Sequence, residues 1–155
     1  MGEDLNLVPI PELPEHIGVV VRDIDKAIEY LSSTYTIQNL KLVGDYTPDD
    51  AELLAGGDFA VRIATLEMGK TKLELLQPIN EKSILAQFLK NSGEGLHHLA
   101  FWVPNFDEVL AKFEEQGVKK LLGGYVDGKR WIYMDTGVKP GGIITEFMEF
   151  KVGGD

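Results

Sequence analysis

Gly93-Glu94-Gly95-Leu96-His97-His98-Leu99-Ala100-Phe101-Trp102-Val103 reads as a buried strand entered through glycines, and the residues after it read as a helix. The chain says almost the same thing earlier. His16-Ile17-Gly18-Val19-Val20-Val21 precedes Asp23-Ile24-Asp25-Lys26-Ala27 as His98-Leu99-Ala100-Phe101-Trp102-Val103 precedes Asn105-Phe106-Asp107-Glu108-Val109. The offset is constant, 82 from His16 to His98 and again 82 from Asp25 to Asp107. An internal duplication is the first inference, with one histidine at the head of a strand in each half.

Working outward, residues 1 to about 14 carry Pro9, Pro11 and Pro14 and predict an extended lead-in. A strand over about His16–Val21 leads to a helix over about Ile24–Ser33, with Asp23 as its N-cap and Ile24, Ala27, Ile28 and Leu31 on one face. Strands follow at Asn39–Asp45 and Phe59–Met68, separated by the acidic segment Tyr46–Gly57, read as a loop or a short helical excursion. The turn Gly69-Lys70 precedes a strand over Thr71–Gln77 that Pro78 ends. Ser83–Leu89 predicts a short connecting helix. The second half repeats the pattern with a helix over about Phe106–Gln116 closed by Gly117, then strands near Lys119–Val126, Arg130–Asp135 and Ile143–Phe150. The terminal Gly-Gly-Asp is expected to fray. The order strand, helix, three strands occurs twice, over about residues 14–80 and 94–150, within a single domain spanning 1–155.

Composition narrows the function. A chain of 155 residues with 44% hydrophobic and 26% charged residues has the balance of a soluble globular domain with one core. No apolar run approaches the roughly 20 residues of a membrane span, and the first fifteen residues do not look like a secretory signal, so a cytoplasmic location and no membrane role are expected. A net charge of -10 argues against nucleic acid as a partner, since phosphate affinity comes from Lys and Arg. An anionic small ligand held by a local basic cluster remains compatible with it. The absence of cysteine removes disulfides and thiolate metal sites and leaves histidine and carboxylate as strong ligands.

The last strand of each half adds a second pair, Leu73-Glu74-Leu75-Leu76 and Thr145-Glu146-Phe147-Met148, 72 residues apart. Alternation along a strand puts His16 on one face with Gly18 and Val20, and His98 with Ala100 and Trp102. Ile17, Val19, Val21, Leu99, Phe101 and Val103 then form an apolar face for helices to cover. A carboxylate in so apolar a strand costs several kcal/mol unless paired or coordinated. Either histidine alone would read as a hydrogen-bonded core residue, and either glutamate alone as a solvated one. Two of each at equivalent positions of a repeat point instead to a divalent cation. His97 falls on the helix side by the same alternation and reads as a core histidine, and Glu149, out of phase with Glu146, as exposed.

These segments resemble the vicinal oxygen chelate superfamily, which includes glyoxalase I, bleomycin-resistance proteins, extradiol dioxygenases and methylmalonyl-CoA epimerase. The resemblance rests on His16-Ile-Gly-Val-Val-Val-Arg-Asp-Ile-Asp-Lys-Ala27, Lys72-Leu-Glu-Leu-Leu-Gln-Pro78, Gly93-Glu-Gly-Leu-His-His-Leu-Ala-Phe101 and Gly141-Gly-Ile-Ile-Thr-Glu146, and is greatest to the epimerase branch. It implies an α+β fold of two βαβββ modules whose eight strands curve around a metal, with His16, Glu74, His98 and Glu146 as ligands. Glu74 is nearer the glyoxalase pattern, because epimerases also use glutamine there. The implied cofactor is a divalent ion, with Co, Mn, Ni or Zn suited to nitrogen and oxygen ligands.

The implied reaction is isomerisation by proton transfer beside the carbonyl of an acyl-CoA or other thioester, with methylmalonyl-CoA as first substrate. Such a substrate offers two oxygens in one chelate and needs no redox cofactor. Glu146 is implied as one base. Aligning Val61-Arg62-Ile63 with the third strand puts Asp58 near the place of the other, where the family has glutamate. Lys129 and Arg130, beside Gly128, read either as contacts for a phosphate or carboxylate or as solvated strand-end charges. The same resemblance allows a glyoxalase I-type lactoylglutathione lyase or a metal-free binding protein of the resistance kind. The intact ligand set speaks against the latter, and a fourth protein ligand against an iron dioxygenase. A homodimer is expected, with the modules paired either within one chain or across the dimer.

Overall fold

The structure, a computed structural model, describes residues 7–47 and 57–150. The elements run β1 (His16–Val20), α1 (Ile24–Thr34), β2 (Gln38–Tyr46), β3 (Val61–Met68), β4 (Thr71–Pro78), α2 (Ile84–Ser92), β5 (Gly95–Val103), α3 (Phe106–Glu115), β6 (Lys120–Val126), β7 (Lys129–Met134) and β8 (Ile144–Glu149). The eight strands form one curled sheet in the order β2-β3-β4-β1-β5-β8-β7-β6. Each half therefore contributes four neighbouring strands, and the halves meet within the chain where β1 lies antiparallel to β5.

Local chemistry accounts for the element ends. The Asp23 carboxylate accepts the Lys26 N–H at the head of α1, and Ser83 Oγ accepts the Ala86 N–H at the head of α2, satisfying amides that the first helical turn leaves free. Gly93, at φ 76°, ends α2 in a backbone region that other residues enter at a cost. The Asp127-Gly128 turn, with both residues at positive φ, joins β6 to β7 as a two-residue hairpin requires.

The apolar face expected from alternation is the one the helices cover. α1 packs on Val21, Ala64, Leu66 and Leu75 through Ile24, Ala27, Ile28 and Leu31, and α3 packs on Phe101, Val103 and Phe147 through Phe106, Val109 and Phe113. A third cluster lines the inside of the curl, where Val20, Leu76, Ala100, Trp131, Tyr133 and Met148 meet, with α2 closing over it through Leu85.

Small departures from the sequence reading have local causes. β3 begins at Val61, because Phe59 leaves the sheet to fill the inner cluster. Pro78 stays in β4 as its last residue, opposite Val61. Most of the Tyr46–Gly57 segment and the terminal Gly-Gly-Asp lie outside the described residues. Glu149 is not a free surface charge: with Asp107 it brackets the Arg130 guanidinium, at 2.9 and 2.7 Å. Arg130 also lies over the Phe106 ring, 4.5 Å from its centroid. This ties α3 to β7 and β8 and commits Arg130 to a structural role. Arg130→Ala should lower stability by about 1–3 kcal/mol, as expected for half-buried charged hydrogen bonds, and leave metal uptake unchanged. Thermal melts and metal titration of the variant check both. Among the described residues no helix is long and apolar enough to cross a membrane.

Candidate metal centre

The register of the four central strands gathers the histidines and glutamates. Gly18 stands opposite both Glu74 on β4 and His98 on β5, and Ala100 stands opposite both Glu146 on β8 and His16 on β1. Gly18 follows His16 by two residues and Ala100 follows His98 by two, so the two halves present the same arrangement about an axis between β1 and β5. One small residue per half gives the ring across the sheet its room. At Gly18 the demand is absolute, since a Cβ there would overlap the Cε1, Nδ1 and Nε2 atoms of His98.

Ligand atoms of His16, Glu74, His98 and Glu146 all lie within 4.8 Å of one another. His16 Nε2 is 3.3 Å from His98 Nε2, 3.2 Å from Glu146 Oε2 and 3.6 Å from Glu74 Oε1, while His98 Nε2 is 3.0 Å from Glu146 Oε2. Donors about 2.1 Å from one ion stand roughly 3.0 Å apart at an octahedral right angle and roughly 3.4 Å apart at a tetrahedral one. The spacings bracket those values. Glu146 Oε2 is buried, and although it approaches both Nε2 atoms it meets neither along a hydrogen-bonding direction. A buried carboxylate oxygen without a hydrogen-bond partner is costly, and a cation among the four groups would satisfy it. The residues present therefore fit a divalent metal, which these four side chains could hold.

Electrostatics agree with a site short of positive charge. Burial alone would lower the basicity of His16, yet the Glu146 carboxylate beside it, helped by Glu74 and Glu15, raises its pKa above 6.5. Burial raises the Glu74 carboxyl above 4.5, against the pull of His16 and with a further push from Glu146. For Glu146 burial acts upward, but His16 and His98 together hold it below 4.5. In the metal-free protein the His16 contribution to stability is full below pH 6.5 and is lost as pH rises through its raised pKa. Glu74 also costs stability as pH climbs past 4.5, whereas the Glu146 contribution is lost only as pH falls through its depressed pKa. A metal displaces the His16 and Glu74 protons, so the gain in Tm on adding zinc should grow between about pH 5 and pH 8. Melts with and without the ion across that range check it; a gain that is flat or shrinks contradicts this assignment.

Three of the four, His16, Glu74 and Glu146, line a cavity of about 500 Å³ inside the curled sheet, with His98 buried behind them. Its walls are apolar and aromatic, chiefly Tyr46, Phe59, Val61, Leu76, Trp131 and Met148. Trp102 and Val126 also line it, with Lys129 over the Trp102 ring at 5.4 Å. Lys41 lines it from the β2 side, and Lys72 lines it while paired to Glu15 at 2.6 Å. Such a space suits a compact acyl group at the metal end, with lysines for an anionic remainder.

Asp58 is not brought to the cluster. It is exposed ahead of β3 and does not line the cavity; the β3 residues that do are Val61, Ile63 and Thr65, none an acid or base. Of the carboxylates that line the cavity, Glu15, Glu74, Asp127 and Glu146, the two in the cluster are Glu74 and Glu146, on strands either side of the central β1-β5 pair.

Alternation misplaced His97. It is buried as expected, but β5 carries a bulge: Gly18 pairs with His98 and Val19 with Leu96, which leaves His97 as the extra residue. Its ring meets Phe88 of α2 at 5.0 Å and Tyr133 of β7 at 5.4 Å, and its Nδ1 lies 2.8 Å from that of His98. Burial, then the neighbouring His98, push its pKa down to about 3 against the pull of Glu146, so it is neutral at ordinary pH. Tyr133, which the sequence reading passed over, packs its ring on His98 at 4.7 Å, and burial beside Glu146 and Glu74 holds its phenol neutral.

Comparison with known proteins bears on the family and the fold. The chain is 29% identical over 110 residues to the ethylmalonyl-CoA/methylmalonyl-CoA epimerase of Cereibacter sphaeroides, an alignment covering 70% of this chain and 74% of that protein. It is 28% identical over 107 residues to the mitochondrial methylmalonyl-CoA epimerase of Bos taurus, covering 68% of this chain but only 55% of the bovine protein. A Streptomyces coelicolor methylmalonyl-CoA epimerase variant, solved in complex with 2-nitronate-propionyl-CoA, superposes with a TM-score of 0.63 at 25% identity, covering 90% of this chain and 97% of that one. With residues 15–134 matching the family as a whole, and with its curled sheet of two βαβββ halves, the chain belongs to the glyoxalase/bleomycin resistance protein/dioxygenase superfamily.

Proposed function

We propose that this protein is a divalent-metal-dependent isomerase that removes and returns the proton beside the carbonyl of an acyl-CoA thioester, with methylmalonyl-CoA as substrate. The observation that carries this reading is the convergence of His16, Glu74, His98 and Glu146 beneath a cavity lined mainly by apolar and aromatic side chains, with Lys41, Lys72, Lys129 and Arg130 among its charged residues beside Glu15 and Asp127. The acyl-CoA relatives support the choice of substrate.

A divalent ion in the cluster would supply Lewis-acid stabilisation of the charge that develops on the carbonyl oxygen, without which a carboxylate is too weak a base for such a proton. The chain's own residues do the rest. Glu146, held ionised by His16 and His98, takes the proton from one side of the carbon. Glu74 lines the same cavity from the opposite pair of strands and is placed to serve the other side. Asp58 is the alternative second base, and interconversion of the two methylmalonyl-CoA epimers by Asp58→Asn decides whether it takes part. Glu146 alone can exchange the proton with solvent, so it is retained epimerisation that removes Asp58 and leaves the role to Glu74. Tyr46, Phe59 and Trp131 exclude water, which keeps the site dry enough for the charges to act. Lys129 and Lys41 would meet the phosphates of the carrier.

A glyoxalase I-type reaction is the second reading, favoured by one observation: both cluster carboxylates are glutamate, and no other acid or base comes from the cavity face of β3. The two are separated by incubating metal-loaded protein in deuterated water with methylmalonyl-CoA and, separately, with a glutathione hemithioacetal. Deuterium entering C2 of methylmalonyl-CoA supports the proposal. Turnover of the hemithioacetal alone transfers the assignment to the lyase.

A further inference from the structure

His98 can coordinate an ion only through a lone pair on the nitrogen that faces the cluster. That nitrogen is Nε2, 3.0 Å from Glu146 Oε2 and 3.3 Å from His16 Nε2. In a neutral imidazole the proton must then sit on Nδ1. Nδ1 of His98 is buried, and it lies 2.8 Å from Nδ1 of His97. We propose that His97 is a positioning residue: its Nδ1 accepts the Nδ1–H of His98 and so holds His98 in the tautomer whose Nε2 lone pair is presented to the metal. The proposal rests on the reading of the four-residue cluster as a metal centre.

Three features of the fold make this contact a built one. The bulge in β5 inserts His97 as the unpaired residue, which is how two successive side chains come within bonding distance of each other instead of pointing to opposite faces. The His97 ring is held edge-on by Phe88 and Tyr133, at centroid distances of 5.0 and 5.4 Å, and it stands at 88° to the His98 ring. The His98 ring is held from its own sides by Gly18, where no Cβ fits, and by Tyr133.

The chemistry of the acceptor also matters. A histidine that binds a metal commonly donates its second N–H to a carboxylate, a carbonyl or water. A carboxylate in that place would add a third negative charge to a site that already has Glu74 and Glu146. The neutral imidazole fixes the tautomer and leaves two carboxylates against one divalent ion, so the buried group of charges sums to zero.

Zinc affinity of the wild-type protein, His97→Phe and His97→Asn, measured by competition with a chromophoric chelator, tests the proposal. Phenylalanine keeps the packing against Phe88 and Tyr133 but offers no acceptor, and the zinc Kd should rise about 10- to 100-fold. Asparagine places an amide oxygen near the position of Nδ1 and should recover most of that loss. An unchanged Kd in His97→Phe, or equal losses in both variants, overturns the proposal. Nitrogen-15 spectra of the imidazoles in zinc-loaded wild-type protein decide the matter even if a variant fails to fold. They should show the proton on Nδ1 of His98 and none on Nδ1 of His97, and a proton on Nδ1 of His97 would refute the assignment. Wild-type protein that takes up no zinc defeats the metal reading itself, and the proposal falls with it.

Discussion

Glu146→Gln should reduce deuterium entry into methylmalonyl-CoA by at least about 10²–10⁴-fold, the range for loss of a positioned general base. The side chain keeps its size, so folding should survive. Two functions go at once, since the amide neither takes up a proton nor carries the charge that a cation among His16, His98 and Glu74 requires. The comparison that separates them is His98→Ala, which removes a ligand and leaves the base. If exchange falls further in Glu146→Gln than in His98→Ala at saturating metal, Glu146 transfers the proton as well as binding the ion. Equal losses would confine it to metal binding, and undiminished exchange in Glu146→Gln would remove it from the mechanism.

Gly18→Ala should be nearly as damaging without replacing any of the four cluster residues. A single added methyl would occupy space taken by three atoms of the His98 ring, against which Tyr133 packs at 4.7 Å. Over-packing of this kind costs about 1–3 kcal/mol, and the accommodation available is for the His98 ring to leave the cluster. Metal content should fall to near the level of His98→Ala, with Tm lowered in the metal-free protein as well. Full metal loading in Gly18→Ala would show that the strands part by enough to admit the methyl, and the close approach of β1 and β5 would then not be what seats His98.

Much of this arrangement was legible in the chain because the duplication is written in linear order. A constant offset pairs His16 with His98, strand period decides which face each shares, and the apolar residues between them mark the face that α1 and α3 cover. Pairing of Glu74 with Glu146 follows in the same way, and the register that sets Gly18 beside Glu74 and Ala100 beside Glu146 carries the repeat into space.

What the linear order did not reveal depends on partners brought together by folding. The bulge at His97 exists only through the pairing of β5 with β1, and Gly95-Leu96-His97-His98 holds no mark that sets it apart from a regular strand. Arg130 looked available to a ligand because Asp107 and Glu149, which occupy it, lie 23 and 19 residues away. Asp58 was placed by alignment to a strand whose start is displaced when Phe59 turns into the cavity, and side-chain direction at such an entry is set by packing rather than by period.

The central claim is that four side chains from the two halves hold one divalent ion, and metal stoichiometry tests it most directly. Wild-type protein dialysed against a mixture of cobalt, manganese, nickel and zinc and analysed by elemental mass spectrometry should retain one equivalent of metal per chain. His98→Ala and Glu146→Gln, folded by circular dichroism, should retain little. Metal retained equally in all three proteins, or in none, would contradict the account.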